Sequence, residues 1–279
     1  MKKEEFILQS KQSKEILIDV TYNQNSFNKK VIIFSHGFKG FKDWGPFNQI
    51  AQHFALNGFF FLKLNFSHNG TNSKNQVDFV DLEAFGNNNF SIELDDLSTV
   101  IDWLFENKKI EKQIDRNNVS LLGHSRGGAI SILKSIEDKR INRVISWAAP
   151  ADLLNRLPKQ EKLQKWKMDN VLYVFNGRTK QNMPLYFQFY LNCIKNKSKL
   201  NLKMMLKKNQ ITQLIIHGSN DSTVLIKEAY LLKEWNNNAQ LAIIDGADHV
   251  FGGFHPYKLD YFPKHLEIVL NKTILFLKD

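Results

Sequence analysis

Near-continuous apolar runs alternate along this chain with segments whose apolar residues recur every three or four positions. The first two runs, "FILQS" and "EILIDVTY", flank the polar turn "KQSK" and predict an antiparallel strand pair. "KVIIFSHG", "FFFLKLNFS", the stretch through Val119, Leu121 and Leu122, "RVISWAAP", "QLIIHGS" and "QLAIIDGAD" predict further strands. Between them, Phe47, Ile50, Ala51, Phe54 and Ala55 mark one helix face, opened by Pro46 and closed by Gly58. Leu94, Leu97, Ile101, Leu104 and Phe105 mark a second, with Ser91 as its expected N-cap. "KHLEIVLNKTILFLK" carries the last, on Leu266, Val269, Leu270, Thr273, Ile274 and Leu277. Strands that are apolar throughout, alternating with amphipathic helices, predict an α/β fold with a mostly parallel sheet covered on both faces.

One change of period falls on a serine. In "SLLGHSRGGAISILK" the strand pattern ends at Leu122, and Ala129, Ile132, Leu133 and Ile136 begin a helix face. Ser125 stands at the joint, with Gly123 two residues before it and Gly127 two residues after. Small residues there let the chain turn sharply and leave the serine side chain standing clear of the surface, which a nucleophile needs and core packing does not.

Ligands of parallel sheets bind beyond the carboxyl ends of the strands. Three more polar signals occupy such ends: His36-Gly37-Phe38 after "VIIFS", Asn220-Asp221 after "QLIIHGS", and Gly246-Ala247-Asp248-His249 after "LAIID". With Ser125 they give a nucleophile, an acid and a histidine in the chain order Ser, Asp, His. A serine hydroxyl near neutral pH needs a base to take its proton, assigned to His249. That base needs a carboxylate to fix its tautomer and stabilise the imidazolium, assigned to Asp221. His255 is the main rival base, and Asp245 and Asp248 are rival acids, although Asp248 is too close in sequence to reach the ring of His249. His36, His124 and His217 sit beside the glycines of these turns, where hydrogen bonding that supports the site is the expected role.

Composition narrows the field further. Hydrophobic residues at 43% and charged ones at 24% are ordinary for a globular protein. No apolar run approaches a membrane span, and "MKKEEFILQSKQ" lacks a secretory apolar core. The single cysteine, Cys193, has no internal partner for a disulfide, and a cytoplasmic setting is expected. No H-E-x-x-H helix, Cys/His pair, G-x-G-x-x-G or Walker loop is present, so neither metal nor nucleotide cofactor is expected. The net charge of +10 is concentrated: residues 155–208 hold thirteen Lys or Arg against Glu161 and Asp169 alone. That asymmetry marks a separate module. Its "VLYVF" reads as a strand and "PLYFQFYLNCI" as a helix, and its interleaved aromatics allow a binding module for nucleic acid or anionic membrane, a weaker alternative without any nucleic-acid fold signature.

"HGFKGFKD", "GHSRGG", "HGSNDSTV" and "DGADHVF" resemble the oxyanion, elbow, acid and histidine segments of α/β-hydrolases, in the serine-hydrolase group that includes cinnamoyl/feruloyl esterases and serine-aminopeptidase-like proteins. The resemblance implies an α/β-hydrolase catalytic domain formed by residues 1–150 and 209–279, with residues 151–208 as an inserted cap. It implies oxyanion donors in the backbone amides of Phe38 and Arg126, supported by His36, Gly37, Gly123, His124 and Gly127. "NFSHNGTN" departs from the Arg-Gly-His-Gly stretch of many relatives, a difference of loop conformation rather than of catalytic groups. The expected activity is hydrolysis of a small carboxylic ester through a Ser125 acyl-enzyme, without cofactor. An amide or short peptide is the alternative substrate, and a binding protein that has lost activity is a more distant one. A basic cap over Ser125 would favour an anionic ester.

Overall fold

The antiparallel pair at the start of the chain forms as expected, between β1 (Lys2–Gln9) and β2 (Glu15–Tyr22), in a computed structural model that describes residues 1–279. The chain then alternates through β3 (Lys29–Ser35), α1 (Phe47–Leu56), β4 (Phe60–Asn65), α2 (Leu82–Asn87), α3 (Phe90–Glu106), β5 (Ile114–His124), α4 (Arg126–Glu137) and β6 (Arg143–Trp147). The segment between β6 and the next sheet strand carries α5 (Gln160–Asp169), a hairpin of β7 (Val171–Asn176) and β8 (Gln181–Tyr186), α6 (Gln188–Lys195) and α7 (Leu202–Lys208). The main fold resumes with β9 (Thr212–Gly218), α8 (Lys227–Trp235), β10 (Ala239–Ile244) and α9 (Lys264–Lys278).

Eight strands make one sheet in the order β1-β2-β4-β3-β5-β6-β9-β10. Pairing is antiparallel from β1 through β4 and parallel from β4 to β10. Side chains alternate between the two faces of a strand, so each buried strand feeds two apolar layers. Ile18, Val31, Ile33 and Leu121 pack with Leu97, Val100 and Ile132 on one face. Ile32, Phe34, Leu122 and Ile145 pack with Phe54, Val269 and Leu270 on the other. The chain leaves β3 toward β4 on one side and returns to β5 on the other. The crevice beyond β3 and β5 is thus the topological switch point, where ligands of such sheets bind.

Three local details differ from expectation. The second helix is capped by Asn89, whose Oδ1 accepts from the amide of Ile92 at 3.1 Å, because the helix starts one residue before Ser91. The hydroxyl of Ser91 instead donates to Asn192 Oδ1 at 3.1 Å. "PLYFQFYLNCI" is divided between β8 and α6: Leu185 pairs with Leu172 across the hairpin, and Pro184 is tolerated because both strands of a two-stranded sheet are edges. Finally, α2 lies inside the long connection after β4, held by Asp81, whose side chain accepts from the amide of Ala84 at 2.9 Å.

Candidate active site

The turn from β5 into α4 is a steric consequence of its glycines. Ser125 adopts φ 53°, ψ −125°, in the left-handed region that L-residues rarely occupy. A Cβ on Gly123 would fall 2.2 Å from the carbonyl oxygen of Gly127, and one on Gly127 would fall 2.4 Å from the carbonyls of Ser35 and His36. Any larger residue at either place would force the strand, the helix and the loop after β3 apart. The Ser125 amide donates to Trp147 O at 2.7 Å, tying the elbow to β6.

The other loops meet Ser125 through strand register. Ser35 pairs with Gly123, so the loop after β3 starts level with the elbow. Ile244 pairs with Gly218, so the loops after β9 and β10 leave the sheet together. His249 Nε2 lies 3.0 Å from Ser125 Oγ, and its Nδ1 lies 2.7 Å from Asp221 Oδ2. The other carboxylate oxygen of Asp221 accepts from the amides of Thr223 and Val224, each at 2.8 Å. Burial alone would raise the pKa of Asp221; hydrogen bonds from His217, His249 and the Val224 amide outweigh it and hold the carboxyl well below the usual carboxylate range.

The remaining histidines take supporting places. His124 Nε2 is 2.9 Å from the carbonyl of His249, and burial followed by the neighbouring His249 lowers its pKa to about 3. A neutral His124 can donate that hydrogen bond and fix the backbone of His249. His36 is buried, with its pKa lowered to about 4 mainly by desolvation, and its Nδ1 lies 2.8 Å from Gly37 O. His217 is fully buried, 2.7 Å from Val224 O and 3.3 Å from Asp221. His255 accepts from the amide of Gly45 at 2.9 Å and packs edge-on against Phe41, engaged away from Ser125. Asp245 accepts from the Ser219 hydroxyl, and Asp248 accepts from the amides of Val250 and Gly252. Neither rival acid reaches the imidazole.

Gly37 packs directly on the nucleophile: a Cβ there would lie 3.1 Å from Ser125 Cβ. Phe38 follows directly on that contact, and the amide of Arg126 opens α4 and so has no acceptor within the helix. The Arg126 side chain turns away to Glu93 of α3, with nitrogen–oxygen distances of 3.0 and 3.1 Å. Its guanidinium lies 4.6, 5.1 and 5.2 Å from the rings of Phe90, Phe189 and Phe38. Desolvation raises the pKa of Glu93 despite the opposing charge of Arg126.

A second buried cluster holds the loop after β3. Asp19 and Lys63 are register partners on β2 and β4, 2.6 Å apart, and Lys42 lies 2.9 Å from Asp19 and 2.7 Å from Asp43. Asp43 also pairs with Lys63. Burial would raise the pKa of Asp43, but the charges of Lys63 and Lys42 bring it down to about 2. Sequence reading passed over this quartet and Glu93. The available signal was a charge inside an apolar run, Asp19 in "EILIDVTY" and Lys63 in "FFFLKLNFS", since a charge buried in a strand requires a partner.

Ser125 and His249 open into a cleft of about 210 Å³, walled by Phe38, Trp44, Phe47 and Val250 and reached by Asn176 and Arg178 of the β7–β8 hairpin. Larger surface depressions of about 580 and 540 Å³ lie against β1 and α3 and beside α7 and α8, but neither contains a nucleophile paired with a base. Geometry, rather than size, selects the smaller cleft.

A family profile described as alpha/beta hydrolase fold matches residues 72–252. "Putative esterase/lipase 2" of Mycoplasma genitalium is 30% identical over 117 residues, 42% of this chain and 34% of that protein; the match thus spans about a third of the relative's length. Among solved structures, Est1E from Butyrivibrio proteoclasticus with ferulic acid bound aligns at a TM-score of 0.75 and 15% identity over 98% of both chains. The DcsB complex with its substrate analogue aligns at 0.74 and 14% over 99% of both. Esterase Pf2001 of Pyrococcus furiosus aligns at 0.62 and 18% over 99% of this chain and 90% of its own. With the matched profile spanning well over half its length and the sheet order, elbow and strand-end loops in place, the chain belongs to the alpha/beta hydrolase fold family.

Proposed function

We propose that this protein hydrolyses a small carboxylic ester through an acyl-enzyme on Ser125. The observation that carries the reading is the unbroken relay from Ser125 Oγ to His249 Nε2 and from His249 Nδ1 to Asp221, at 3.0 and 2.7 Å, on an elbow with left-handed φ. Relatives named for esterase activity, and a neighbour that binds ferulic acid, support an ester as the substrate class.

Ser125 Oγ attacks the ester carbonyl as His249 takes its proton, and the carbonyl oxygen becomes an oxyanion. The amides of Phe38 and Arg126 stabilise that charge; one such donor contributes ~3 kcal/mol to lowering the barrier. Asp221 stays ionised and stabilises the imidazolium, in keeping with its depressed pKa. His249 then protonates the leaving alkoxide, and water, activated by the same imidazole, releases the acid. Residues 151–208 act as a cap, contributing Asn176 and Arg178 to the cleft. No helix is long and apolar enough to cross a membrane, and the buried Cys193 thiol, its pKa pushed up to about 12 by desolvation, is inert, in keeping with a packing role in the cytoplasm.

The test is a panel of 4-nitrophenyl esters of increasing acyl length, run beside an aminoacyl 4-nitroanilide. Short esters are expected to turn over fastest, because the cleft is smaller than the usual 300–1,000 Å³ ligand pocket. Turnover of the anilide above every ester would replace the ester reading with an amidase.

A further inference from the structure

The basic residues of the inserted segment do not converge on Ser125. All thirteen are exposed, and of them Arg178 alone lines the cleft, joined by Lys39 from the loop after β3. Arg178 is already engaged. It donates to Asp78 Oδ1 at 3.0 Å and to Val77 O at 2.7 Å, and its guanidinium lies 5.0 and 5.4 Å from the rings of Phe41 and Phe79.

Lys39 is in a different condition. Its Nζ pairs with no carboxylate, donating only to Phe175 O at 3.1 Å, with the Phe38 ring 5.8 Å away. An ammonium carries three donors, so two are left for a ligand. Partial burial lowers its pKa from the ordinary lysine value, the mark of a cation short of compensating charge. No Asp or Glu lines the cleft, whose other walls are the rings of Phe38, Trp44 and Phe47. Consecutive Cα atoms are ~3.8 Å apart, so Lys39 starts next to Phe38, the residue whose amide the ester-hydrolase reading assigns to the reacting oxygen.

The geometry points to Lys39 as the group that selects substrates carrying a carboxylate close to the scissile ester. This rests on the ester-hydrolase reading and deepens it: the cleft takes a small, apolar-bodied ester, with the nucleophile at one end and a carboxylate acceptor for Lys39 at the other. The exposed lysines of residues 151–208 have no part in that recognition. The lysine has one rival role, as a latch holding the β7 end of the hairpin through Phe175 O. A latch would serve all substrates alike.

Two matched pairs separate these roles. One pair places the carboxylate on the leaving group, 4-acetoxybenzoate against methyl 4-acetoxybenzoate. The other places it on the acyl group, mono(4-nitrophenyl) adipate against methyl 4-nitrophenyl adipate. In Lys39→Met, kcat/KM for the charged member of at least one pair should fall roughly 10- to 100-fold, the size of a lost hydrogen bond to a charged group, while its neutral partner stays within twofold. Lys39→Arg should keep the preference. Equal losses on charged and neutral members, or no loss on either, would overturn the assignment of Lys39. Fluorophosphonate labelling of Ser125 is run alongside. A wild-type protein that neither labels nor cleaves any ester would sink the hydrolase reading, and the Lys39 assignment with it.

Discussion

The strand-end rim and the inserted segment from Ala151 to Lys208 answer to different physics. On the rim each side chain of the proposed relay is held by close local constraint: Ser125 by glycines that allow no Cβ, Asp221 by two amides, His249 by a carboxylate on one nitrogen and a hydroxyl on the other. In the inserted segment most charges stand in solvent, where they are screened over ~8–10 Å and fix little. Two residues from that segment, Asn176 and Arg178, reach the cleft. The contrast teaches that charge density along a sequence does not by itself point to a site, whereas close geometric constraint does.

The sharpest way to break the contrast is Ser125→Ala. It should remove on the order of a millionfold in kcat on 4-nitrophenyl acetate while leaving the circular dichroism spectrum unchanged. More than a tenth of wild-type activity in the purified variant would exclude Ser125 as nucleophile. His249→Ala should lose a comparable amount, and Asp221→Asn, next in size, about ten-thousandfold through the wrong imidazole tautomer. His255→Ala, whose ring serves Gly45, should cost less than tenfold. Near-normal fluorophosphonate labelling of the His249 variant, with loss in the His255 variant, would reverse the two.

The rim also predicts two opposite pH dependences of stability. Asp221 has a folded pKa below its unfolded value of ~3.9, so its contribution is present above that pH and lost as pH falls further. Asp96, buried on α3 and hydrogen-bonded by the amide and hydroxyl of Ser67, is raised to about 7 by desolvation, against those hydrogen bonds. Its sign is reversed: stability from the protonated carboxyl is full below ~4 and lost as pH rises toward 7. The Tm of Asp96→Asn should therefore gain on wild type from pH 4 to pH 7. A difference that is constant across that range would show that Asp96 titrates normally. The smallest effect belongs to the inserted segment. Replacing Lys165, Lys167, Lys195 and Lys199 together by Glu should change kcat/KM on a neutral ester by less than twofold, measured at low salt. A larger change would mean that these lysines act on the cleft after all.

Much of the rim could be read from the sequence alone because its chemistry is local in sequence. Gly-x-Ser-x-Gly, Asn-Asp after β9 and Asp-His after β10 each sit where a strand period ends, so periodicity placed them on one rim. The alternation of strand and helix was legible for the same reason, down to the bounds of the last helix. What could not be read depends on pairings distant along the chain. The partner of Arg126 is 33 residues away on α3, and Asp19 meets Lys63 across 44 residues of sequence. The inserted segment was hardest: its total charge was plain, but which cation faces the cleft depends on how a hairpin docks against the β3 loop.

The quartet of Asp19, Lys42, Asp43 and Lys63 limits the routes by which the sequence can drift. Removing any single member leaves the buried cluster with an unbalanced charge, and breaking a buried ion pair ordinarily costs ~3–5 kcal/mol, whereas exchanging opposite charges together for apolar groups is often neutral. Single substitutions at these positions are therefore closed paths, and descendants of this chain can leave the quartet only by paired replacement. Because Lys42 and Asp43 ride on the loop that bears Phe38, a pair of changes that includes either would also reset the seating of the amide proposed as an oxyanion donor.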